Sequence, residues 1–152
     1  MGNSNTKFNN INFEDMQWII NEKNNDNNQH YNTNRQKTII ISTLDIHNQE
    51  CLIASTLNAY SEIEILNDNL QKNKDIRIII YGMNSSDYSI FKKYEQLIKL
   101  GFYNIYIYPG GLFEWLLLQD IYGTELFSTT KNNIDLLKYK GRQQLNIKLL
   151  EG

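Results

Sequence analysis

The chain has 152 residues, 41% of them hydrophobic, which suffices for one ordinary domain with its own core. A formal net charge of −2 provides no basic face for nucleic acid, and the lone cysteine, Cys51, excludes an internal disulfide and a cysteine-based zinc site. No apolar run approaches the roughly 20 residues that span a bilayer, and no cationic-then-apolar leader opens the chain, so a reducing, cytoplasmic setting is expected.

Residues 1–7 read as a flexible N-terminus. Gly2, with Thr6 and Lys7 after it, fits the N-myristoylation pattern. One acyl chain binds membranes only marginally, and no neighbouring cysteine or polybasic patch adds to it, so the expected tether is weak and peripheral. Phe13, Met16, Trp18, Ile19 and Ile20 then recur at mostly helical spacing behind Asn12, a candidate N-cap, with Glu14 and Asp15 in the first turn. Between Asn21 and Gln36, 7 of 16 residues are Asn, and the stretch is expected to be a solvated loop.

Thr38–Thr43 is a β-branched run of the kind buried on both faces of a parallel sheet. Residues 45–52 suggest a short helix or turn, and Ser55–Asn58 a short strand. Ser61–Leu70 reads as a helix capped by Ser61 with Glu64 three residues on. Asp75–Tyr81 is a second buried strand. A helix is expected from about Ser86 to Leu100, with Ile90, Phe91, Tyr94, Leu97 and Ile98 on one face and Gly101 ending it. Tyr103–Tyr108 is the next strand, and Leu112–Tyr122 a helix stopped by Gly123. Strands alternating with helices predict βα units and a parallel sheet, with the working site beyond the strands' carboxyl ends, at the loop Gly82–Ser89. The tail, 131–152, suggests a short helix near 133–139 and a loose end.

The order of an apolar strand (Ile78–Tyr81), a loop (Gly82–Ser89), a helix ending Leu100-Gly101-Phe102, a strand (Asn104–Tyr108), Gly110-Gly111 and a helix carrying Trp115 resembles a rhodanese-like domain. Upstream, Glu50–Asn58 resembles the family's Gly-His-Ile…Ala-Ile-Asn segment, with Cys51 at the histidine. The resemblance spans about residues 8–125 within a domain of 8–130. It implies a three-layer α/β/α sandwich around a central, mostly parallel sheet.

Active members of that family hold a cysteine at the start of the loop, where backbone N–H groups and a helix N-terminus stabilise its thiolate. Here that position is Gly82, which has no nucleophile. The loop continues Met83, Asn84, Ser85, Ser86, Asp87, Tyr88 and Ser89, so a carboxylate stands where the family favours an anion-friendly group. The Cys-x5-Arg signature of related phosphatases is missing as well. A non-catalytic binding or regulatory module is therefore expected, without cofactor or metal. The alternative is a sulfurtransferase that uses Cys51 or a partner's thiol.

Cys51 otherwise reads as a small packing residue. His30 and His47 lack ligand-forming neighbours at metal spacing, and Ser85, Ser86 and Asp87 suit capping of the following helix. The loop could also persist as a backbone nest for a small anion. In the last helix Phe113, Leu116 and Leu117 add an apolar face that needs a cover. The tail, through Leu126, Phe127 and Ile134–Tyr139, could provide it, as could a self-dimer or a protein partner.

Overall fold

The computed structural model describes residues 8–28, 36–132 and 134–145. The opening helix, α1, runs Phe13–Asn28. Asn12 caps it as expected: its Oδ1 accepts the Asp15 N–H at 3.0 Å, and Asp15 Oδ2 accepts the Asn12 N–H at 3.1 Å. The helix continues through the first half of the segment expected to be an Asn-rich loop. Asn costs only a few tenths of a kcal/mol per residue in a helix already nucleated (about 0.7 at most). Lys23 Nζ also donates to the Thr38 carbonyl at 2.6 Å, tying the helix to the first strand. Residues 29–35, with His30, and residues 1–7, with Gly2, lie outside the described residues, as do 146–152.

Three parallel strands, β1 (Thr38–Ser42), β2 (Arg77–Tyr81) and β3 (Ile105–Tyr108), lie in that order. The register aligns Ile40 with Ile79 and Tyr81 with Tyr108. The sheet is wider than these strands. Thr56 bridges Ile40 beyond one edge and Asn10 bridges Ile107 beyond the other, both parallel. The strand expected at Ser55–Asn58 is thus a single bridge, with the Leu57 N–H on the Ile40 carbonyl at 2.8 Å.

Side-chain alternation divides the core into two layers. Ile40, Ile79, Tyr81 and Tyr108 face α1 and α4 (Gly111–Tyr122), meeting Met16, Ile19, Ile20, Leu112, Trp115 and Leu116. Ile41, Ile78, Ile80, Ile105 and Ile107 face α2 (Ala59–Lys72) and α3 (Ser89–Leu100), meeting Leu66, Ile90 and Leu97. The result is the α/β/α sandwich.

Several boundaries differ from expectation. The cap of α2 is Asn58, whose side chain accepts the Tyr60 N–H, and Ser61 lies inside the first turn. The helix α3 starts at Ser89 rather than Ser86, because the intervening loop folds back on its own side chains. Ile98 and Trp18 are exposed, although helical spacing puts each on an apolar face. The Arg77 guanidinium sits over the Trp18 ring, 5.7 Å from its centroid. Gly101 and Gly123 end α3 and α4 with positive φ, as anticipated. None of the helices among the described residues is long and apolar enough to cross a membrane.

Candidate functional site

The carboxyl ends of the three strands deliver Thr43, Gly82 and Pro109 to one end of the sheet. The loop 82–88 lies between β2 and α3, and the first turn of α4 holds it from the side. The N–H groups of Leu112 and Phe113 donate to the carbonyls of Gly82 and Met83 at 3.0 and 2.9 Å. Loop carbonyls thus satisfy donors that a helix N-terminus otherwise leaves unpaired.

This close approach explains the second glycine of the pair, Gly111. Gly111 has φ +70°, and a Cβ there would stand 2.7 Å from the Gly82 carbonyl oxygen and 3.0 Å from the Asn84 nitrogen. Both neighbours are backbone and cannot swing away. Gly111→Ala should therefore destabilise the domain by about 2–4 kcal/mol, combining left-handed strain with a displaced loop. A urea midpoint unchanged from wild type would show that the loop yields freely.

Gly82 is buried, and the space a side chain would occupy is filled. A Cβ at position 82 would meet Asp87 Oδ2 at 2.7 Å. That carboxylate is held firmly. Asp87 Oδ2 accepts the Met83 N–H at 2.8 Å, and Oδ1 accepts the Ser89 N–H at 3.0 Å and the Ser89 hydroxyl at 2.6 Å. Asp87 therefore ties the loop to Ser89, the first residue of α3, but the cap position is Tyr88 and neither Asp87, Ser85 nor Ser86 caps the helix. The Ser86 N–H instead donates to Asn84 Oδ1 at 2.9 Å, and Tyr88 is exposed.

With the Ser89 proton committed to Asp87, the Thr43 hydroxyl is the donor in the 2.7 Å Thr43–Ser89 contact. The Asp87–Ser89–Thr43 chain reaches a cleft of about 340 Å³ lined by Ser42, Thr43, Ser89 and Lys92, with the Lys93–Glu62 ion pair in its wall. Sequence reading missed this chain. Thr43 and Ser89 are 46 residues apart, and no local pattern links them.

Cys51 is completely buried, and its thiol donates to the Lys131 carbonyl at 3.4 Å. Burial holds its pKa above the ordinary thiol value despite the Thr129 hydroxyl beside it. The group is a neutral thiol at neutral pH. Its hydrogen bond is to Lys131, and it shares a core layer with Met83 of the loop. His47 is exposed in a short 3-10 turn, Ile46–Asn48. Among the described residues no cluster of three or more His, Cys, Asp or Glu is placed to hold a metal ion.

The expected face on α4 is split by the helix. Leu116 is 3% exposed and faces the core beside Trp115, Phe113 is partly buried against the same layer, and Leu117 is 38% exposed. Leu116 is thus unavailable to a partner, since the helical period carries it inward with Leu112. The segment beyond α4 returns to the domain. Ser128 and Thr130 pair with Ala54 and Leu52, and the Trp115 indole donates to the Ser128 carbonyl at 3.0 Å. A 3-10 turn, Leu136–Tyr139, then packs beside α4 with Tyr139 fully buried.

The family profile described as "Rhodanese-like domain" matches residues 9–118. An atomic-resolution structure of an uncharacterized protein from Saccharomyces cerevisiae resembles the chain with a TM-score of 0.50 and 16% identity, over 75% of this chain and 93% of that one. At that identity the likeness concerns the fold alone. No curated protein matches the chain.

Proposed function

The chain belongs to the rhodanese-like domain family, and from that premise we propose that it is a non-catalytic member acting as a binding or regulatory module. One observation supports this reading above the others. Position 82 has no side chain, and the room for one holds the Asp87 carboxylate, which accepts the Met83 and Ser89 N–H groups. A sulfur-carrying nucleophile needs both that room and those donors. The same carboxylate disfavours a free anion in the loop, since two negative groups would compete for one set of donors.

The sulfurtransferase alternative rests on Cys51 or a partner's thiol. Complete burial and a raised pKa both work against Cys51 as a nucleophile, which must be an accessible thiolate. A thiosulfate-to-cyanide sulfur-transfer assay combined with intact-mass detection of a persulfide tests the choice. We expect no turnover above background and no gain of one sulfur on the wild-type protein. Turnover that disappears in Cys51→Ser would overturn the reading.

As a module, the domain would meet a protein partner or a second copy through the open part of α4. There Leu117, Ile121 and Tyr122 are exposed on adjoining turns. Acylation at Gly2 would add a weak, reversible tether that holds a cytoplasmic protein near a membrane.

A further inference from the structure

The carboxyl end of the sheet is covered by the chain's own tail. Asn84 Nδ2, in the degenerate loop, donates to the Tyr139 carbonyl at 3.0 Å. Gly141 lies over the same loop, where a Cβ would stand 3.8 Å from Ser86 Oγ and 4.0 Å from Asn84 Oδ1. On the other side Lys138 reaches Glu50 at 3.7 Å, both side chains nearly half exposed. Between these points the Tyr139 ring enters the core layer that also contains Cys51, Met83 and Ile53.

The attachment is thin compared with what precedes it. Residues 128–130 are joined to 52–54 by backbone bonds in the manner of a strand, with Ile53 bridging Thr129. From 134 to 141, the Asn84 bond and the Lys138–Glu50 pair are the polar ties to the rest of the protein among the described residues. The remaining bonds are local, such as Leu137 N–H on Asp135 Oδ1 and Lys140 N–H on the Leu137 carbonyl. One turn of 3-10 helix has little stability of its own, and a half-exposed ion pair adds little.

The plug is also imperfect. The Tyr139 hydroxyl is buried without a hydrogen-bond partner, and an unmet hydroxyl counts against the closed state. Leu137, two residues away, remains 57% exposed. A segment held by one well-buried ring, the partly buried Ile134 and Leu136 side chains and two polar ties, with one polar group unmet, separates from its domain more easily than the domain unfolds.

We infer that residues 134–141 form a strap that opens and closes over the loop 82–89 while the α/β/α body stays folded, with Tyr139 as its plug. The closed strap partly covers Asn84 and blocks the approach to Cys51, and the open strap presents both. The inference stands whether or not the site is catalytic. It makes the end of the sheet a gated face whose resident cover is an aromatic side chain of the chain itself.

Cys51 provides the test in the full chain, because it is the only thiol and is completely covered. Its reaction with a chromogenic aromatic disulfide is followed at urea concentrations from zero to the start of global unfolding. An opening confined to the strap exposes little surface, so the labelling rate should be nearly independent of urea at low concentration. Asn84→Ala should label about fivefold faster than wild type, and Tyr139→Phe, which keeps the ring and removes the unmet hydroxyl, about tenfold slower. Global melting temperatures, measured alongside, should change much less than these rates. Labelling that rises from zero urea with the full slope of global unfolding would overturn the strap, as would equal rates in all three proteins.

Discussion

Trp115→Ala is expected to destabilise the domain by about 3–5 kcal/mol, the range for removing a fully buried large aromatic residue. Trp115 joins elements that the chain otherwise leaves apart. Its indole N–H holds the Ser128 carbonyl, its ring meets Phe127 edge-on at 5.0 Å, and Tyr108 lies 6.2 Å away on its other side. Truncation leaves a cavity, an unpaired carbonyl and a loosened return segment together. Typical domains are stable by only about 5–15 kcal/mol, so a large share of the total would be lost. Urea unfolding measures it, and Leu117→Ala on the same helix is the control, expected to cost less than about 1 kcal/mol because that side chain is partly exposed. A Trp115→Ala loss no larger than the control would remove Trp115 from the centre of the packing.

The second large effect is alkaline. Burial raises the pKa of Tyr81, Tyr108 and Tyr139 above the ordinary value of 10.0, and that of Cys51 above 9.0. The nearby Glu114 carboxylate pushes Tyr108 up further, while bonds to Thr56 and Ile53 partly offset the rise at Tyr81. These groups are acids whose folded pKa exceeds the unfolded one. Their contribution is therefore complete below the unfolded values and declines as pH rises above them, because the unfolded chain releases its protons first. Each group fully offset in this way lowers stability by about 1.4 kcal/mol per pH unit. Tyr81 and Tyr108 together give up to about 3 kcal/mol per unit above roughly pH 10, and Tyr139 adds in the same direction. Urea stability measured between about pH 8 and pH 11, with tyrosinate absorbance as a second probe, should show ionisation and unfolding together. Tyrosines that all ionise near their ordinary value without loss of structure would show that the three rings are solvated.

The sheet was legible because its strands are nearly pure isoleucine. Ile40–Ile41, Ile78–Ile80 and the Ile105/Ile107 pair are all buried, as such runs imply, and the glycines at 101 and 123 mark helix ends chemically. The length of α1 was not legible, since Asn21–Asn28 has the composition of a loop and is held by contacts to β1 that local sequence does not encode. The capping residue of α2 was misread because Ser61 and Glu64 form a plausible pair, but helix geometry starts at Ala59 and makes Asn58 the cap.

At the site, the missing side chain at Gly82 could be read from its place after a buried strand. That Asp87 turns back into that place could not, because Asp87 also looked like an ordinary helix cap. Its two oxygens instead join the Met83 N–H of the loop to Ser89 at the start of α3. The cover over the site was harder still. Asn84 and Tyr139 are 55 residues apart, and the tail's Ile134–Tyr139 island suggested burial without indicating against what.

The single bridges at Asn10 and Thr56 have a consequence for how copies of this protein behave in a crowd. A three-stranded parallel sheet ends in two rows of unpaired backbone groups, and long exposed rows recruit further strands into fibrils. Here the outer neighbour of β3 is anchored by Asn9 and Ile11 through Ile107, and that of β1 by Leu57 through Ile40. Each guard presents only a residue or two of extended backbone, too short a template for another chain to join in register. The two outer strands, β1 and β3, are thereby shielded from self-assembly by segments that contribute almost nothing to the sheet's own area.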